Sequence, residues 1–106
     1  MMLHDFSAVP VKEIAPGVRG RYVHSAQVTQ GVVDLAQGAA VPDHSHPHEQ
    51  WTMVMSGSLD LTVGGKLHTL TPGKVLYIAP NERHSARAAV ACQVLDVFHP
   101  VREDYR

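Results

Sequence analysis

Glycine or proline breaks this sequence about every ten residues, at Pro10, Pro16-Gly17, Gly20, Gly31, Gly38, Pro42, Pro47, Gly57, Gly64-Gly65, Pro72-Gly73, Pro80 and Pro100. Such spacing leaves room for short strands and little for helices. No window sustains a helical period, whereas Leu59-Asp60-Leu61-Thr62-Val63 alternates apolar and polar side chains strictly. Gly64-Gly65 can take positive φ, and Lys66-Leu67-His68-Thr69-Leu70 resumes the alternation, so residues 58–70 read as a hairpin. Further runs rich in β-branched and aromatic residues predict strands over Val18–His24, Gln27–Leu35, Gln50–Met55, Val75–Ile78, His84–Val90 and Gln93–Phe98. Many short strands with nothing to cover an open sheet predict an all-β sandwich or barrel closed on itself. Residues 1–16 read as a loosely organised arm, 17–100 as the barrel and 101–106 as a polar tail.

At 106 residues one core must serve the whole chain. Apolar types at 44% and charged types at 18% place it among globular proteins rather than disordered ones. A formal charge of −1 and a pI near 6.7 lack the basic excess that a nucleic-acid footprint needs, so nucleic acid is not an expected partner. Met1–Asp5 has no cationic segment followed by an apolar run, and no stretch is apolar over the length of a membrane span. The single cysteine, Cys92, agrees with a reducing compartment. These features together lead to a cytoplasmic expectation with no membrane partner.

Eight histidines in a chain of this size are the anomaly. His44 and His46 are two apart, so on an extended backbone their imidazoles leave the same face roughly 6.5–7 Å apart at Cα, within reach of one metal ion. His84, after the turn-like Ala79-Pro80-Asn81-Glu82-Arg83, is the natural third ligand from another strand. A His-x-His pair by itself more often bonds to water or backbone. The third histidine, the flanking Gly38 and Gly57 and the barrel expectation together favour a metal. His48 and Glu49 are rival ligands ranked below Gln50, because Pro47 interrupts the register. His4, His24, His68 and His99 are taken as surface or packing residues, and Trp51, Met53 and Met55, or alternatively Tyr77, as barrel-lining candidates.

These spacings resemble the cupin superfamily. Gly38, His44, His46 and Gly57 match its first motif, with Gln50 where an acid is usual; Gly73 and His84 match its second, with Ala79 and Asn81 in place of a proline and a glycine. Asn tolerates left-handed backbone, so the turn survives the exchange. The resemblance implies a single-domain double-stranded β-helix, a jelly-roll barrel. More narrowly, His44-Ser-His-Pro-His-Glu-Gln50 and the ending Leu95-Asp-Val-Phe-His-Pro-Val-Arg-Glu-Asp-Tyr105 look like the small cupins of the KdgF pectin-degradation family, which open and ketonise 4,5-unsaturated monouronates. Carried over position by position, the metal ligands would be His44, His46, Gln50 and His84. Asp96, Phe98 and Arg102 would be the family's catalytic aspartate, phenylalanine and arginine. The resemblance also implies a homodimer, paired through edge strands or exchanged N-terminal arms.

The residue types agree with that chemistry. Three neutral imidazoles and a neutral amide leave a divalent ion its full double charge, which favours an anionic substrate such as a sugar acid. Nickel, zinc, iron and manganese can all occupy such a set. Val94, Asp96 and Phe98 share one strand face, which fits Asp96 as general acid/base and Phe98 as a sugar-packing surface. Arg102 is the expected bidentate partner of a substrate carboxylate. The alternatives are an iron-dependent cupin dioxygenase, or a non-enzymatic module that binds a sugar acid or metal without transforming it.

Overall fold

A computed structural model describes residues 1–106. The period-two pattern becomes ten strands: β1 Lys12–Ala15, β2 Val18–His24, β3 Thr29–Leu35, β4 Ala40–His44, β5 Glu49–Ser56, β6 Leu59–Val63, β7 Lys66–Leu70, β8 Val75–Ile78, β9 His84–Arg87 and β10 Cys92–His99. They pair antiparallel throughout, in one sheet of order β1-β2-β3-β10-β5-β8 and another of order β4-β9-β6-β7. Two sheets facing across one core are the jelly-roll arrangement expected of the sequence. Its only helical pieces are 3-10 turns at Phe6–Ala8 and Glu103–Tyr105, and no helix is long and apolar enough to cross a membrane.

Register decides what the core side of the larger sheet presents. One row across it runs His24, Thr29, Phe98, Gln50, Ile78. The next runs Tyr22, Gly31, Asp96, Thr52, Leu76. The third runs Gly20, Val33, Val94, Val54. Polar groups therefore occupy two adjacent rows, and valines close the inside beyond them. Against this sheet pack Leu59 and Leu61 of β6 and Leu70 of β7, all buried. Burying such side chains stabilises by about 1.5–3 kcal/mol each.

The hairpin at 59–70 forms as predicted, with Gly64 and Gly65 both at positive φ (56° and 81°). Asn81 adopts φ 63°, the left-handed turn that its side chain tolerates. Two strands go beyond the predicted set. β1 lies within the segment read as an arm and pairs with β2 through Lys12↔Gly20 and Glu13↔Arg19. β4 contains Pro42, and it sits at a sheet edge, where a missing N–H costs no ladder bond. Trp51, Met53, Met55 and Tyr77 do not line the barrel. Trp51, Met53 and Met55 alternate with the inward Gln50, Thr52 and Val54, so they face out. Tyr77 pairs with Trp51 on that outer face, their rings 4.8 Å apart.

Candidate metal centre and cavity

Three imidazoles converge between the sheets. His44 ends β4, His46 lies just past it in the loop to β5, and His84 opens β9 directly opposite His44 in register. Ring centroids are 4.2 Å apart for His44 and His84, 4.9 Å for His46 and His84, and 5.7 Å for His44 and His46. One nitrogen of each lies within 4.8 Å of the others. The Asn81 turn ties the two halves together, because the Asn81 backbone N–H donates to the His46 carbonyl at 2.8 Å.

Each ring is fixed through its far nitrogen. Nδ1 of His44 donates to the Pro42 carbonyl at 2.7 Å, Nδ1 of His46 to that of His48 at 3.0 Å, and Nδ1 of His84 to that of Glu82 at 2.9 Å. A neutral imidazole carries one proton, so these bonds place it on Nδ1 and leave the Nε2 lone pair of all three facing inward. Backbone carbonyls holding Nδ1–H in this way are the usual support of metal-binding histidines. Burial disfavours the charged form of His46 and His84. It is the main cause pushing His46 down to about 4, helped by the charges of Arg102 and His84, and it also lowers His84.

Gln50 completes the arrangement. Its Nε2 donates to Thr52 Oγ1 at 2.9 Å, and Thr52 in turn donates to Asp96 Oδ1 at 2.7 Å. The single hydroxyl proton is spent on Asp96, so Thr52 can only accept from Gln50. That turns the Gln50 carbonyl oxygen toward His46, where Oε1 and Nε2 lie 3.0 Å apart. With His46 neutral and protonated on Nδ1, two lone pairs face each other in a buried place. A cation relieves that conflict, and the donor set of three imidazoles and an amide oxygen fits a divalent transition ion. His48 and Glu49 stand outside the cluster. The His48 Nδ1 is buried and unpartnered, and Glu49 lies 3.9 Å from His99.

The cavity beside the three rings is also lined by Tyr22, Asp96, Phe98, Arg102 and Tyr105. Asp96 stands in the middle row, its carboxyl pushed up to about 6 by removal from water. The Thr52 and Gln50 donors and the Arg102 charge oppose that rise. Phe98 is buried, with its ring edge-on to His46 at 5.9 Å. Arg102 is not a solvated tail residue; it is 8% exposed, and its guanidinium lies 4.9 Å from the Phe98 ring and 4.0 Å from the Tyr105 ring. Its guanidinium already makes one bidentate pair within the protein. Nε and Nη2 donate to the two oxygens of Asp104 at 3.0 and 2.8 Å, which leaves Nη1. Tyr22, Thr52 and Tyr105 are site residues missed in the sequence. The one available signal was period two, which puts Thr52 on the face of Gln50 and Tyr22 on the face of Gly20.

The family model described as a cupin domain matches residues 31–98. Among curated proteins no sequence matches. Solved structures do. An RmlC-like cupin from Shewanella frigidimarina superposes with a TM-score of 0.93 at 22% identity, over 100% of this chain and 96% of the other. KdgF from a Halomonas species gives 0.86 at 25% identity, over 92% of this chain and 91% of its own. Bacillus subtilis oxalate decarboxylase, described with Mn(II) centres, gives 0.85 at 22% identity over 95% of this chain, which corresponds to 30% of that longer one.

Proposed function

Because this chain belongs to the cupin domain family and is KdgF-like within it, we propose that it opens and ketonises 4,5-unsaturated monouronates at a divalent metal held by His44, His46, Gln50 and His84. The observation that supports this reading best is the juxtaposition, in one cavity, of a four-donor centre with Asp96, a carboxyl held by Thr52 at 2.7 Å and placed to give and take a proton.

The substrate is a cyclic enol ether. Its anomeric hydroxyl loses a proton, the bond from C1 to the ring oxygen breaks, and C4 gains a proton as the C5 oxygen becomes a ketone. Nothing is oxidised, and the protons balance within one isomerisation. When bound, the divalent ion supplies a fixed positive field for charge that develops on oxygen. Asp96 moves the protons. Thr52 and Gln50 both donate to one of its oxygens, which leaves the other without a side-chain donor. Phe98 offers an apolar wall to the sugar, and Arg102, with Asp104 on one side of its guanidinium, offers the remaining Nη1 to a substrate carboxylate.

The test is an anaerobic assay of the metal-loaded protein that follows loss of the ultraviolet absorbance of an unsaturated monouronate. Acceleration that chelation abolishes, and that His46→Ala lacks, is the expected result. Turnover that needs and consumes oxygen would instead identify a dioxygenase, and binding without turnover a sugar-acid module.

A further inference from the structure

Tyr22 is a cavity residue that the proposed reaction leaves without a task. In register it is the neighbour of Gly31, and Gly31 is the neighbour of Asp96, so no side chain stands between the tyrosine and the carboxylate in that row. The ring lies flat against the sheet. A Cβ on Gly31 would sit 2.4 Å from Tyr22 Cδ1, and a Cβ on Gly20 would sit 2.3 Å from the Tyr22 hydroxyl. Two strand-interior glycines, each unfavourable to a strand, thus form the floor on which this ring rests. Tyr105 packs on the ring with centroids 4.5 Å apart, so Tyr22 is held on both faces.

Tyr22 is 6% exposed, and its hydroxyl is buried with no hydrogen-bond partner. No group of the protein itself pairs with this hydroxyl, and phenylalanine would fill the same floor without placing a polar atom there. Retaining the oxygen calls for a state in which it is paired. The surrounding third row, Gly20, Val33, Val94 and Val54, contains no side-chain hydrogen-bonding group, so the partner has to come from a molecule that enters the cavity.

We propose that Tyr22 is a ligand-binding residue whose phenol O–H donates to a hydroxyl or carboxylate oxygen of the acid sugar, at the inner wall one row beyond Asp96. The assignment rests on the uronate reading above and deepens it. Tyr22 fixes the orientation of the sugar against the carboxylate. Sugars that lack an oxygen at the corresponding position leave the donor unpaired and bind less well.

Tyr22→Phe in the full, metal-loaded chain tests this. Three readouts are compared with the parent: thermal midpoint, affinity for the saturated analogue galacturonate by calorimetry, and KM against kcat for an unsaturated monouronate. The expected result is a midpoint equal to or above that of the parent, with affinity weakened about tenfold and KM raised by a similar factor at little-changed kcat. Parent-like affinity and KM would overturn the assignment. A midpoint lowered by several degrees would overturn it too, because the hydroxyl would then have a partner in the free protein. A parent that takes up metal yet neither binds nor turns over monouronates removes the proposed function, and this role of Tyr22 with it.

Discussion

Thr52 has one proton to give, and its direction sets the chemistry of its neighbours. Donating to Asp96 obliges it to accept from Gln50, which points the amide oxygen at the imidazole cluster. Thr52→Val preserves shape and removes both bonds. The expected outcome is a metal affinity weaker by about 10–100-fold, read by competition titration with zinc or nickel, while the three histidines remain in place. Unchanged affinity would show that Gln50 needs no such support. Asp96→Asn tests the proton itself. Asparagine keeps the volume and the Thr52 bond but cannot exchange a carboxyl proton, so metal binding should persist while turnover falls by about 10²–10⁴-fold in the anaerobic assay. Near-parental turnover would take Asp96 out of the mechanism.

At the scale of elements, the C-terminal segment 101–106 behaves as part of the barrel. The Arg102 backbone N–H donates to Thr29 Oγ1 at 2.8 Å, Arg106 reaches the Ser25 carbonyl at 3.4 Å, and Lys12 of β1 bonds to the Arg106 carbonyl. Asp104 holds the Arg102 guanidinium, and that bond is the main cause of its lowered carboxyl pKa. A depressed value means that the pair contributes fully above the ordinary carboxylate value of 3.8 and loses its contribution as pH falls through the lower folded one. Asp104→Asn should therefore cost about 1 kcal/mol or less at neutral pH, given how much of Asp104 faces solvent. In denaturant titrations the gap from the parent should shrink as pH falls below 3.8 and through the lower folded value. A gap that does not shrink on acidification would contradict this. The tail also shows where sequence legibility ends. Alternation and paired glycines made the 59–70 hairpin readable because both signals are local. β1 and β4 escaped because Lys12-Glu13-Ile14-Ala15 is half polar and Pro42 interrupts Ala40–His44, each strand being defined by its partner instead. The Arg102–Asp104 pair was hidden for the opposite reason, since a run of mixed charges looks solvated until a core forms beneath it.

For the whole molecule, the candidate centre joins parts of the chain that are far apart in sequence. His44 and His46 come with the β4 edge and its following loop, Gln50 with β5 in the larger sheet, and His84 with β9 in the smaller one. The histidine spacings were legible as a motif. Their meeting with Asp96, Thr52 and Tyr22 was not, because it depends on a register fixed across four strands at once. An ion bridging both sheets acts as a clasp on the global fold, binding the native arrangement and not the unfolded chain. At a free metal concentration 100 times Kd, linkage adds about 2.7 kcal/mol of stability. For a domain of this size that is on the order of 10 °C in the thermal midpoint. Calorimetry of metal-loaded protein against chelator-treated protein should show this rise, and the rise should grow with the logarithm of added metal. His46→Ala and His84→Ala should each flatten that dependence, although His46 lies in a loop and His84 in a strand. A midpoint indifferent to metal in the parent would mean that the two sheets are not joined through these four side chains.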